Sequence, residues 1–186
     1  MTLKRNLLII FVVLLVLSAV CRVAGFAPQL AIAIFAGAII RDKKLAFALP
    51  LVSMLLSDVL YEVLFQLGYV NYGGFYEGQL LNYFLIASVT VFGFLIRRWN
   101  VLQIAAATIA APAAYFILSN FAVWIGGGGW FHPKTFDGLM STYRDGLPFL
   151  RSSLESTIIF SAVLFVGYYL LQRFVLEHRY LAGVKL

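Results

Sequence analysis

Residues 101–125, "VLQIAAATIAAPAAYFILSNFAVWI", run for twenty-five positions without one charged side chain. A stretch of about 20 apolar residues is what an α-helix needs to cross the hydrocarbon core of a bilayer. Lipid offers no hydrogen bonds to a bare backbone, so such a segment has to be helical. Similar runs fill most of the chain. It is 62% hydrophobic and 12% charged, with a mean hydropathy of +0.93, whereas soluble domains carry about 25% charged residues. These features predict an all-α integral membrane protein, a single domain over residues 1–186.

Six spans are expected, at 7–24, 26–40, 45–66, 79–96, 101–125 and 149–172. The first follows a basic start and resembles a secretory signal, with "LSAVC" faintly like a lipoprotein cleavage site; it is read here as a retained span. The second is short, with Pro28 suited only to its first turn. Charge placement arbitrates. With six spans, Lys4, Arg5, Arg41, Lys43, Lys44, Arg97, Arg98, Arg173, Arg179 and Lys185 all fall on one side, which the positive-inside rule makes cytoplasmic. Arg22, Lys134, Arg144 and Arg151 fall at or near the other face. The expected place is a bacterial inner membrane, both termini cytoplasmic, and the net charge of +6 reflects topology rather than nucleic-acid binding. Gly37-x-x-x-Arg41 and Gly93-x-x-x-Arg97 recur before the two cytoplasmic turns, too short an echo to count as a repeat.

Ionisable groups inside spans are expensive and face a bundle interior or a watery cavity. At about 1.5 Å per residue from Leu45, Asp58 lies roughly 20 Å from the cytoplasmic side, in the outer half of its span. Glu62 follows one turn later. Asn120 and Trp124 are four apart on the fifth span, and Arg151 and Glu155 four apart on the sixth. Their shared depth points to an outward-facing polar pocket over an apolar floor. Simpler roles stand beside that reading: Arg151 pairing with Glu155 along the helix, Asp58 pairing with Arg22 or Arg151 to hold helices together, and Asn120 as interhelical glue. Trp124 also suits an interfacial aromatic belt.

The outer loop at 126–148 holds four glycines, then Trp130, Phe131 and His132. Thr135 is placed to cap a short helix bearing Phe136, Leu139, Met140 and Tyr143 on one side. Hinged at the glycines and at Gly146 and Pro148, that helix is read as a lid, the alternative being a helix resting on lipid. The candidate substrate-binding residues are thus Asp58, Glu62, Asn120, Trp124, Trp130, His132, Tyr143, Arg151 and Glu155. No nucleophile elbow, P-loop or H-E-x-x-H occurs, and neither His132 nor the single cysteine, Cys21, makes a metal site. No catalytic residue, metal or cofactor is therefore expected.

"LAFALPLVSMLLSD", "SNFAVWI" and "GLMSTYRDGLPF" resemble an uncharacterised family of short bacterial six-helix membrane proteins, over most of the chain from Pro28. More distantly, the layout is similar to the substrate-binding (S) components of energy-coupling-factor vitamin transporters, including solitary cobalamin transporters. That resemblance implies a small six-helix protein capturing a vitamin-like solute near the outer face under loop lids. It also implies an energising membrane module as partner. The Ala-x-x-x-Ala motif that S components often carry in their first span is missing from 7–24; Ala33-x-x-x-Gly37 in the second is only a small-residue analogue. Uptake of a small solute is the leading expectation. A non-transporting accessory subunit of a larger membrane complex is the alternative, and a cavity among the outer halves of the helices distinguishes the two.

Overall fold

A computed structural model describes residues 16, 20–22, 26–97, 99–126 and 132–181, with side chains to 174. It is all-helical. Five helices follow one another: α1 (Gln29–Ile39), α2 (Lys43–Gln66), α3 (Gln79–Phe94), α4 (Val101–Gly126) and α5 (Phe136–Leu181). Val16 and Val20–Arg22 are helical as well, a sixth, N-terminal segment that ends beside α2. Three helical stretches are long and apolar enough to cross a membrane: α2, α4 and the Phe136–Phe174 part of α5. α1 and α3 are apolar but shorter.

Helix ends follow local chemistry. Asp42 caps α2, its carboxylate accepting from the Lys44 and Leu45 N–H groups at 2.8 and 3.4 Å. Asn100 does the same for α4, accepting from Leu102 and Gln103 at 3.0 and 3.1 Å. Such caps satisfy N–H groups that have no partner inside the helix. Gly78 supplies the left-handed turn before α3, with φ of 81°.

The distribution of side chains inverts that of a soluble protein. α2 buries Ala46, Pro50, Ser53, Met54, Ser57 and Asp58 on one stripe and exposes Val52, Leu55, Leu56, Val59 and Val63. α5 likewise buries Ser156, Thr157 and Ser161 while Ile158, Ile159, Val163 and Val166 face outward. Large apolar side chains outside and small or polar ones between helices are what lipid selects, because tails solvate Leu and Val but not hydroxyls.

α1, the shortest helix, is the axle of the bundle. It touches all four of the others, and Leu30, Ala31, Ile32, Ala33, Ile34 and Ala36 are buried. Its crossing with α3 is glycine on glycine. A Cβ at Gly37 would meet the Thr90 carbonyl oxygen at 2.2 Å, and one at Gly93 the Ile34 carbonyl oxygen at 2.2 Å. The repeated glycines, Gly37 and Gly93, are therefore one contact seen from both sides.

The expected first span at 7–24 lies mostly outside the described residues, and one described helix, α5, departs clearly from its expected bounds. Thr135 does cap a helix, its hydroxyl accepting from Gly138 N–H at 3.2 Å, but this helix does not stop at Gly146 or Pro148. It continues as α5, so the expected separate lid helix is the first part of the last helix. Packing on α4 explains the continuity: Gly146 carries no side chain where a Cβ would meet Asn120 Oδ1 at 2.4 Å, and the Phe116 and Tyr143 rings lie 5.8 Å apart.

Candidate functional site

Asp58 sits on the buried stripe of α2 with none of its side chain exposed. An isolated carboxylate there would be very costly, and the sequence supplies three donors. Arg22, from the N-terminal helical segment, pairs with Oδ1. Gln79 Nε2 donates to Oδ2 at 2.5 Å, and the Tyr83 hydroxyl, one turn along α3, donates to the same oxygen. Ser57 accepts a further Arg22 N–H at 3.5 Å, and the guanidinium lies 5.3 Å from the centre of the Tyr61 ring. This resolves the open pairing: Asp58 binds Arg22, not Arg151.

The α2–α3 connection is folded onto this cluster. Glu62 accepts from Gly74 N–H at 2.9 Å and from Gln66 at 3.1 Å. Gly74 lies so close that a Cβ would meet the Asp58 carbonyl oxygen at 1.8 Å. Beyond it, Asn82 accepts from the Tyr115 hydroxyl of α4 at 2.5 Å and donates to the Tyr76 hydroxyl at 2.6 Å.

In front of the Arg22–Asp58 pair lies a cavity of about 250 Å³. Every described helix lines it. Arg22 forms one wall, with Ala27, Gln29 and Leu30 from the start of α1 and Met54 from α2. Asn82 and Ile86 come from α3, Tyr115 from α4, and Phe149, Ser152, Ser153 and Ser156 from α5. Arg22 is the one charged side chain among these lining residues. A wider groove of about 720 Å³ runs between α3 and α4, and Asn82 and Tyr115 border both hollows.

The eight expected binding residues that the structure describes lie elsewhere. Asp58 is behind the wall and Glu62 holds the α2–α3 connection. Asn120 donates to the Phe116 carbonyl of its own helix at 2.9 Å. Trp124 Nε1 donates to the Pro133 carbonyl at 3.0 Å, His132 bonds Asp145 at 2.7 Å, and the Tyr143 hydroxyl donates to the Ile117 carbonyl at 3.1 Å. All three stitch the α4–α5 hairpin. Lys134 adds to it, donating to the Ile125 carbonyl at 2.9 Å and lying 5.4 Å from the centre of the Trp124 ring. Arg151 and Glu155 pair along α5 at 2.8 Å and stay 82% and 52% exposed, pointing away from the cavity. Trp130, Phe131 and three of the four glycines lie outside the described residues.

Sequence reasoning missed Tyr115 and the serines of "RSSLES". The signal for the serines was small polar residues at helical spacing: Ser152 and Ser156 are one turn apart, on a helix otherwise rich in Ile, Phe and Val. Among the described residues, no three His, Cys, Asp or Glu side chains gather as a metal site would require.

Searches of curated proteins and of solved structures found no match. Residues 2–179 match a family described as a family of unknown function (DUF6580), in keeping with the resemblance to an uncharacterised family. With nearly its whole length matched, the chain belongs to the DUF6580 family.

Proposed function

We propose that this protein is a substrate-binding or uptake protein of S-component type in a bacterial inner membrane, with six spans and both termini cytoplasmic. The observation that carries the reading is the cavity where all the described helices meet, lined by Arg22, Gln29, Asn82, Tyr115 and three serines. Membrane bundles hide polar groups by pairing them; a partly open hollow lined by them provides binding contacts. The positive-inside rule puts this end of the bundle outside, so the captured solute arrives from the periplasmic face. At about 250 Å³ the hollow suits a small vitamin-like solute, not one the size of cobalamin. Ala33 and Gly37 are buried against α3, so an energising module would have to dock on another surface.

The test is reconstitution of the purified protein and a thermal-shift screen of small solutes, since a ligand that binds only the folded state raises its stability. A saturable shift that Ser153→Leu removes supports capture in this cavity. The accessory-subunit reading draws on the pairing of Asp58 with Arg22, which would serve to hold helices together; it expects no shift from any solute.

A further inference from the structure

We propose that the cavity selects a small organic monocarboxylate, with the Arg22 guanidinium as its anchor and Asp58 as the residue that positions that guanidinium. The inference rests on the capture reading and adds the ligand's charge and class.

Charge comes first. Asp58 compensates Arg22, yet it is fully buried, is held by three donors and does not line the hollow. Its charge is spent on the far side of the wall. Arg22 is 19% exposed, and its bonds to Asp58 and Ser57 both come from one nitrogen, Nη1. A guanidinium carries five N–H donors in a planar fork. Among the described residues nothing accepts from its other two nitrogens, which leaves a pair of donors spaced for the two oxygens of a carboxylate.

The rest of the wall agrees in sign. α1 begins at the cavity without a side-chain cap, so its first N–H groups and the positive end of its dipole favour an anion. Asn82 has a second amide hydrogen beyond the one given to Tyr76. Ser153, whose carbonyl accepts from Ser156 and Thr157, brings a further hydroxyl to the lining.

Apolar lining then separates an organic acid from an inorganic anion. Leu30, Met54, Ile86 and Phe149 complete the enclosure, and phosphate or sulfate would leave those contacts unused. The volume, about 250 Å³, lies just below the roughly 300–1,000 Å³ of pockets that hold drug-sized ligands. That is room for one carboxylate and a short chain or single ring.

The experiment uses the full chain in lipid nanodiscs, with propionate, hexanoate and benzoate as probes, set against their amides, matched primary amines and inorganic phosphate. Saturable stabilisation by one or more acids is expected, with none by the amides, amines or phosphate. Arg22→Lys should weaken acid binding about tenfold to a hundredfold by losing the charge-assisted fork, and Ser153→Leu, which leaves the Arg22–Asp58 pair intact, should abolish it. Amides, amines or phosphate stabilising as well as the acids would overturn the carboxylate inference while leaving solute capture standing. Acid binding unchanged in both variants would place the anion elsewhere and overturn it too. If nothing in the panel or in the wider solute screen stabilises the protein, the capture reading fails and this inference with it.

Discussion

The Arg22 guanidinium and the Asp58 carboxylate form an ion pair across 36 positions of sequence, joining the N-terminal helical segment to α2. Tyr83 and Gln79 complete it from α3. Three separate parts of the chain thus meet at one carboxylate. The pair has a structural side, behind the wall, while Arg22 itself lines the cavity.

Asp58→Asn should be strongly destabilising. Removing one partner of a buried pair leaves the other charge uncompensated, typically at a cost of about 3–5 kcal/mol. Arg151→Gln breaks an ion pair as well, but that pair is exposed on the surface of α5, where such contacts contribute little. Thermal unfolding of the two variants in detergent should show a large drop for Asp58→Asn and no measurable change for Arg151→Gln. Equal drops would mean that Asp58 is not the keystone described here.

The positions of α2, α3 and α4 were legible because charges and turn residues bracket them. Expected boundaries at 45–66, 79–96 and 101–125 differ from α2, α3 and α4 by two residues or fewer at either end. The inward face of Asp58 was legible too, because a carboxylate in an apolar run turns to the bundle interior, and its side chain is fully buried. Lateral neighbours were not: periodicity assigns a residue to a face, but nothing in one sequence says which helix that face meets. So Asp58 had two possible partners, and Arg151 looked like a cavity residue until α5 turned it outward. Pro148 misled for a different reason. Proline removes one hydrogen bond from a helix interior, and close packing of Gly146 and Tyr143 on α4 outweighs that loss.

The α1–α3 crossing should tolerate no side chain. Gly93→Ala sets a Cβ against the Ile34 carbonyl and the Gly37 Cα at 2.2 and 2.8 Å. Both are backbone, so neither can swing aside and the helices must separate. Overpacking a tight core usually costs about 1–3 kcal/mol, and rigid atoms on both sides argue for the upper end. Gly167→Ala is the matched control, with nothing near its added carbon. Folded yield and unfolding temperature should fall for Gly93→Ala and hold for Gly167→Ala.

Glu62 should act as a clamp on the α2–α3 connection rather than as a ligand. Its carboxylate holds Gly74 N–H at 2.9 Å, and that residue rests on the Asp58 carbonyl. Glu62→Ala should therefore raise protease cleavage and amide exchange between residues 69 and 76, since local opening follows the loss of the few contacts that hold a loop. Solute binding should weaken only modestly. A variant with unchanged exchange but abolished binding would return Glu62 to the site.

Tyr115 should be the partition between the cavity and the groove. Its hydroxyl is bonded to Asn82 at 2.5 Å, and the two residues border both hollows. Tyr115→Phe keeps the ring and loses a bond worth about 0.5–1.5 kcal/mol, so the wall should stay standing but loosen. Tyr115→Leu also removes part of the wall and should join the two spaces. A single reporter distinguishes these effects: Ser153→Cys in a Cys21→Ser background, treated with a polar thiol reagent. Labelling should be slow in the parent, modestly faster with Tyr115→Phe and several-fold faster with Tyr115→Leu. Acid solutes, if they occupy the cavity, should slow it in all three. A labelling rate indifferent to position 115 would mean that the cavity opens by another route and that the Tyr115–Asn82 bond serves only to join α4 to α3.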